Sequence, residues 1–307
     1  MERLYVKTPL IYSDYYSDLL EVNVYLKLEN LQPSGSFKSR GIGVLCQHYA
    51  SLGKKVLIAS SGGNAGLAVA YSAKKLKLQA KIFVPNSTPH STIIKIENLG
   101  AKVTVIGDVW DETDTYARKD ADNDNAGYIS PFDHPVIWQG HSTIVEEIAD
   151  DLAEEPSAIA CSVGGGGLLC GIIQGCDKLN WNNVTLITSE TKGANSFYQC
   201  YQKKEVVKLD KVDTIAKTLG AKQVTKGILP YLDNHKIMPL LVSDAEALAG
   251  AVSLAHTHRM LVEPACGATL ALCYSHKEKL KSFKNIVLIV CGGSGTSLIT
   301  RSISTED

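Results

Sequence analysis

The sequence has no basic tract, no long apolar run and no closely paired cysteines, and each gap removes a class of protein. Its 31 basic and 32 acidic side chains leave a formal net charge of -1. A surface that neutralises phosphates needs clustered Lys and Arg, so a nucleic-acid partner is excluded at this level. No apolar run approaches the roughly 18 residues of a membrane span. The first residues, Met1 to Lys7, interrupt their apolar side chains with charges where a signal peptide would be continuously apolar. A cytosolic, cytoplasmic chain without a membrane partner is expected. Eight cysteines include no C-x-x-C pair; common zinc and thioredoxin-like patterns are therefore missing, and buried free thiols in a reducing compartment are expected.

What is present is an ordinary globular composition, 45% hydrophobic and 21% charged over 307 residues. At roughly 150 residues per domain, two domains are expected. Short apolar runs at Val56 to Ser60, Ala80 to Pro85, Lys102 to Ile106, Ala158 to Val163, Thr185 to Ser189 and Ile286 to Cys291 read as buried strands bounded by turn residues. Between them, Ala65 to Leu78 and His141 to Glu154 carry apolar residues at helical spacing. Alternation of this kind means an α/β fold with open, twisted, mostly parallel sheets flanked by helices. Ser243-Asp244-Ala245-Glu246 has the form of a capping box and predicts a helix to about Met260. Proline-bearing seams at Leu31 to Gly35 and Ser130 to Pro135 predict a small domain over 33–134, about 100 residues, and a large domain from 1–32 with 135–307.

Four motifs carry chemistry, each at the C-terminal end of a predicted strand or in a turn that opens a helix, where open α/β sheets bind ligands. Pro33-Ser34-Gly35-Ser36-Phe37-Lys38 puts one lysine at a helix start. Ser60-Ser61-Gly62-Gly63-Asn64-Ala65-Gly66 leaves small residues whose N–H groups can approach an anion; the structural alternative is a plain turn with Asn64 as a helix cap. Ser162-Val163-Gly164-Gly165-Gly166-Gly167-Leu168 spends conformational entropy on four successive glycines, which suits a phosphate at a helix N-terminus. It is neither a dinucleotide fingerprint nor a P-loop, so a nicotinamide-dependent oxidoreductase is disfavoured. The strand ending in Val290-Cys291-Gly292-Gly293 offers a thiol as a neutral hydrogen-bond donor, or simply a core cysteine.

A phosphate cradle, one lysine, a Ser/Asn loop and a neutral donor are what pyridoxal 5'-phosphate requires. In this order the motifs, with Ile137-Trp138-Gln139-Gly140-His141 and Val262-Glu263-Pro264-Ala265-Cys266-Gly267-Ala268, resemble the fold type II (tryptophan-synthase-β-like) pyridoxal-phosphate enzymes. Within them the chain looks like the eukaryotic L-serine dehydratase/L-threonine deaminase group. The resemblance implies a cofactor in the cleft between a large and a small domain, a homodimer, and an ammonia-lyase that takes serine to pyruvate and threonine to 2-oxobutanoate. It implies that Lys38 holds the cofactor covalently and acts as the base at Cα, that Phe37 packs on the pyridine, and that Asn64 bonds its 3-hydroxyl. Gly164, Gly165, Gly166, Gly167 and Leu168 would hold the phosphate, and Cys291 would face the ring nitrogen. Ser61, Gly62, Gly63, Asn64 and Ala65 would form the substrate-carboxylate loop. Gly164, Glu190, Ala194, Leu219 and Ala221 would supply oxygens to a monovalent cation such as potassium; the alternative for Glu190 is a solvated loop carboxylate.

Two positions depart from the group's pattern. Gly62 stands where Ala is frequent, and Thr218 precedes Leu219-Gly220 where Ala is usual. Racemases that resemble the family carry a serine just before the Gly-Asn pair, where this chain has Gly62, so elimination is expected over racemisation. Serine racemase, a cysteine-synthase type of substitution, catabolic threonine deaminase and a silent cofactor-binding paralogue remain the alternatives.

Overall fold

The computed structural model describes residues 2–123 and 125–296. In chain order the strands and helices begin with β1 (Leu10–Tyr12), α1 (Asp14–Leu20), β2 (Asn23–Lys27), α2 (Lys38–Ser51), β3 (Val56–Ala59), α3 (Asn64–Leu76) and β4 (Gln79–Val84). They continue with α4 (His90–Glu97), β5 (Lys102–Val105), α5 (Trp110–Asn123), β6 (Gly127–Tyr128), α6 (Pro135–Asp151), β7 (Ala158–Ser162), α7 (Gly167–Lys178) and β8 (Thr185–Thr191). The last elements are α8 (Ser196–Lys203), β9 (Ile237–Val242), α9 (Asp244–His258), α10 (Pro264–Ser275), α11 (Lys277–Leu280) and β10 (Asn285–Ile289). All six runs read as strands from the sequence are strands, with ends shifted by a residue or two. Helix α6 starts at Pro135, ahead of the stripe that predicts it from His141, because proline fits a helix's first turn.

The chain divides into two compact units, one of Met1–Val6 with Gln32–His141 and one of Lys7–Leu31 with Ser142–Asp307. The first unit holds a four-stranded parallel sheet in the order β5-β4-β3-β6. Ile58 and Phe83 pack there against Ala117 and Ala121 of α5, a helix otherwise almost wholly polar. The second unit holds a six-stranded sheet, β1-β2-β10-β7-β8-β9, parallel except for the β1 and β2 pair. Its central strands β7 and β10 are buried at every residue, as parallel strands covered on both faces must be.

The sequence reading passes over β1, β2, β6 and β9, of which β2 is a five-residue uninterrupted strand and two others are short or interrupted in ways that hide them. β6 has two residues, and β9 contains Pro239. That proline is tolerated because, among the described residues, β9 lies at the sheet edge and pairs only with β8. Leu186 donates to the Lys236 carbonyl and Lys192 to that of Val242. Even-numbered residues of β9 therefore face β8, and Pro239 points its missing donor outward.

The capping box at the start of α9 is formed: the Ser243 hydroxyl accepts from Glu246 N–H, and the Glu246 carboxylate accepts from Ser243 N–H at 2.6 Å. Helices α9 and α10 then cross at two glycines. A Cβ on Gly250 would lie 2.3 Å from the Gly267 carbonyl oxygen, and one on Gly267 would lie 2.0 Å from that of Ala247. Alanine in a helix interior ordinarily stabilises by about 1 kcal/mol relative to glycine. Here the atom in the way is backbone, so the helices must separate, and overpacking of this kind costs about 1–3 kcal/mol or more. Gly267→Ala is expected to lower the unfolding free energy by at least about 1 kcal/mol in a denaturant titration; an unchanged or higher midpoint would contradict the crossing.

Candidate active site

In the first unit, Lys38 is the opening residue of α2. The bend before it depends on Gly35, whose φ of +79° suits glycine and whose N–H closes on the Gln32 carbonyl at 2.7 Å. The Ser34 and Ser39 hydroxyls lie 2.7 Å apart and tie the bend to the first turn. Lys38 Nζ donates to the Pro131 carbonyl and sits 5.0 Å from the centre of the Phe37 ring. The Phe37 ring meets the His141 imidazole at 4.9 Å, tilted by 55°. His141 is fully buried, and its ring nitrogens have no hydrogen-bond partner among the described residues. Burial above all, then the positive charges of Lys38 and Arg40, holds its pKa well below the ordinary 6.5.

The Ser61 to Ala65 loop follows β3 in the same unit. Gly63, not Asn64, is the N-cap of α3 and brings no capping side chain, and the Ser61 hydroxyl accepts from Gly63 N–H at 3.3 Å. This corrects the reading of Asn64 as a cap: Asn64 is already helical and is buried. A Cβ on Gly66 would lie 1.9 Å from the Ser61 carbonyl oxygen, so the loop folds tightly onto the first turn. Gly62 is constrained by neighbours, not by a left-handed backbone. Its Cβ would meet Thr88 Cγ2 at 2.8 Å and Val84 Cγ1 at 3.0 Å.

In the second unit, Gly164 to Gly167 link β7 to α7. Gly166 is the N-cap at φ +89°, and no side chain caps the helix among the described residues. Among the described residues the N–H groups of 164–168 donate none of the turn or loop backbone hydrogen bonds. The Gly165 carbonyl is tied down by Thr225 N–H at 2.9 Å. A Cβ on Gly164 would meet the Thr218 carbonyl oxygen at 3.0 Å, so that face of the loop has no room for side chains. Leu168 is buried in the first turn. The pairing of β10 with β7 brings Cys291 to the same sheet end, buried, with its sulfur 3.5 Å from the Ser162 hydroxyl. The Cys266 thiol, pushed well up by burial and by its hydrogen bond to Cys291, lies against it. The Thr218 hydroxyl donates to Glu263, which also accepts from Gly295 N–H at 3.1 Å; the departure at 218 thus has a partner.

Glu190 lies inside β8 and is 1% exposed, which removes the solvated-loop alternative. Its two oxygens accept from Phe197 N–H at 2.8 Å and Tyr198 N–H at 2.7 Å and cap α8. Burial pushes its pKa up to about 8, against the opposing pull of those two bonds. The Ala194 chain turns beside it, with Ala194 N–H on the Thr191 carbonyl. Ala221 N–H bonds the Leu219 carbonyl at 2.8 Å, while the carbonyls of Gly164, Ala194 and Ala221 accept no backbone bond among the described residues. No group of three His, Cys, Asp or Glu residues suited to a metal ion occurs among the described residues.

Residues 1–292 match the family of pyridoxal-phosphate dependent enzymes. The chain belongs to that family. It is 46% identical to the human (Homo sapiens) L-serine dehydratase/L-threonine deaminase over 97% of this chain and 93% of that protein. It is 41% identical to the L-serine dehydratase of Dictyostelium discoideum over 96% and 90%. The crystal structure of a fungal L-serine ammonia-lyase from Rhizomucor miehei superposes with a TM-score of 0.93 at 39% identity, covering 100% of this chain and 99% of that one. The fold is that of the fold type II enzymes of the family. Taken by itself, each unit carries groups of the kind the cofactor's chemistry suits: in one an amine at the head of α2, in the other a loop of glycines at a helix start whose N–H groups donate no turn or loop backbone bond among the described residues.

No pattern in the sequence singles out Asp114, which accepts from the Ser60 hydroxyl just before the loop, because the two lie far apart in the chain. His141 stands out only within its motif. Because its buried ring refuses a proton that an unfolded chain takes up below about 6.5, its contribution to native stability should fall as pH drops through that range. From about pH 7.5 to 5.5 His134 and His258, whose pKa values burial also lowers, add to this fall while Glu190, held up to about 8, opposes it, so His141→Leu should make the denaturation midpoint fall less, or rise more, toward acid than in the parent protein. An equal slope in the variant would contradict a neutral His141.

Proposed function

We propose that the protein eliminates water from L-serine, giving pyruvate and ammonia, and converts L-threonine to 2-oxobutanoate and ammonia. The observation that carries this reading is found within the first unit: one lysine at the head of α2, and a helix start at a glycine, whose peptide donors suit a carboxylate. The names of the relatives, L-serine dehydratase and L-serine ammonia-lyase, support the substrate class.

When bound, pyridoxal phosphate supplies a conjugated electron sink for the substrate's Cα. Gly164 to Gly167 and Leu168 would hold its phosphate with N–H groups and the positive end of α7. Phe37 would cover the pyridine face, Asn64 would bond the 3-hydroxyl, and Cys291 would face the ring nitrogen. A thiol there places no carboxylate beside that nitrogen, which leaves more negative charge near Cα and favours loss of the β-hydroxyl. Lys38 would hold the cofactor covalently and then take the Cα proton, its amine steadied by the Pro131 carbonyl. The Ser61 to Ala65 loop would fix the substrate carboxylate, with the α3 dipole adding to its N–H groups. Loss of proton and hydroxyl leaves an enamine, which water converts to the keto acid and ammonia.

Purified protein should release pyruvate from L-serine, and Lys38→Ala should lose roughly 10³-fold or more of that activity. Borohydride reduction followed by peptide mapping should mark Lys38, and a label on another lysine would displace it from this role. Gly62 offers no side chain to donate a proton on the opposite face, so D-serine should be a minor product on chiral chromatography. Formation of D-serine at a rate comparable to pyruvate would replace this reading with a racemase. Gly62→Ser is expected to add little D-serine by itself, since Thr88 must first move aside.

A monovalent cation, potassium by the chemistry of one carboxylate and several carbonyls, is proposed beside Glu190. The support is a buried carboxylate with no cation among the charges that shift it, and carbonyls of Gly164, Ala194 and Ala221 without backbone donors. Activity should rise in potassium relative to a bulky organic cation, and Glu190→Ala should abolish the difference. Equal rates in the two salts would count against the site.

A further inference from the structure

One carboxylate in the first unit gathers donors from three places. Asp114, in the second turn of α5, is 9% exposed. Its Oδ1 accepts from the Ser60 hydroxyl at 2.5 Å and from the Tyr128 hydroxyl of β6. Its Oδ2 accepts from Arg118 Nε, one turn along the helix, at 2.7 Å. The Arg118 guanidinium carbon stands 4.1 Å from the centre of the Tyr128 ring. Burial, reinforced by Asp114, pushes the Tyr128 phenol upward in pKa and keeps it a donor.

Burying a carboxylate is costly, and a strand end can be held without one: the Ser60 and Tyr128 oxygens already lie 3.2 Å apart. What the charge adds is a junction between two particular segments. Ser60 leads directly into the Ser61 to Ala65 loop. Tyr128 pairs with Ile58 of β3, and three residues later the chain presents the Pro131 carbonyl that receives the Lys38 amine. We infer that Asp114 is a positioning residue for substrate binding: through Ser60 it sets the carboxylate loop, and through Tyr128 it holds that loop in register with the segment that steadies Lys38. The inference rests on reading Ser61 to Ala65 as the carboxylate loop.

The test is steady-state kinetics on the holoenzyme with L-serine, together with cofactor content and visible spectrum. Ser60→Ala and Asp114→Asn should each raise KM about tenfold while kcat changes by less than about threefold and the spectrum stays the same. The double variant should be no worse than the more impaired single one, because both substitutions break one link. A merely structural anchor would lower stability without this split between KM and kcat. An unchanged KM in folded Ser60→Ala, or a multiplicative effect in the double variant, overturns the inference. If Asp114→Asn does not fold, Ser60→Ala and Tyr128→Phe are judged by the same criteria. Ser61→Ala, in the loop but without the proposed bond of Asn64 to the cofactor, distinguishes failure of the positioning role from failure of the loop reading. If it raises KM while the Ser60 and Asp114 variants do not, the loop reading stands and the positioning role falls. If it too leaves KM unchanged, the loop reading itself falls.

Discussion

The start of a helix that follows a parallel strand exposes peptide N–H groups, and those groups can hold an anion only if no side chain satisfies them first. Two helices here, α3 and α7, begin at glycines, which bring no capping side chain of their own, although the Ser61 hydroxyl accepts from Gly63 N–H at 3.3 Å. Other starts in the chain differ: Ser13 caps α1, Ser243 caps α9, and Glu190, itself proposed as a cation ligand, caps α8, whereas α4 begins at Pro89 with no side-chain cap bond among the described residues. What sets α3 and α7 apart is their cap glycines. They are placed where the backbone itself must do the binding, and the sheets exist to aim those two turns.

Close backbone approach recurs wherever such a turn is built. Gly66 lets the loop after β3 fold onto its own helix, and Gly164 lets the loop after β7 run against Thr218 and Leu219. Gly293, at φ +122°, would place a Cβ 1.9 Å from the Glu263 carboxyl carbon, so the turn after Cys291 is packed against the acidic start of α10. Charge is handled just as tightly. Lys27 is wholly buried yet donates to both the Glu147 carboxylate and the Thr8 carbonyl at 2.7 Å. Removing one member of such a pair costs about 3–5 kcal/mol, whereas solvated surface pairs contribute little.

The sequence makes the central strands legible because β7 and β10 are apolar at successive positions, and it makes α9 legible because its cap is written in four residues. It conceals β6, two residues long, and β9, where a proline argues against a strand until the edge position is known. Helix α5 is harder still, since it offers the sheet only alanines while its other residues read as a solvated face. The same division holds for the site. Lys38, the Asn64 loop, the tetraglycine turn and Cys291 are contiguous motifs whose residue types suggest their chemistry. Asp114 and Glu190 are single acids whose burial and partners come from strands and helices far away in sequence, so nothing local distinguishes them from surface carboxylates. All eight cysteines, in contrast, are free and buried, as the spacing suggests.

The proline in β9 also bears on what the sheet can join. An edge strand exposes a ladder of donors and acceptors that any extended peptide, including an unfolded copy of the same chain, can extend. Pro239 removes a donor from the outward side of β9 midway along its length. A seventh strand added there would have to leave a carbonyl unanswered at its centre. The margin of the larger sheet is thereby closed to runaway strand addition while the inward ladder to β8 stays complete, so the chain can keep a long apolar parallel sheet without that edge becoming a template for aggregation.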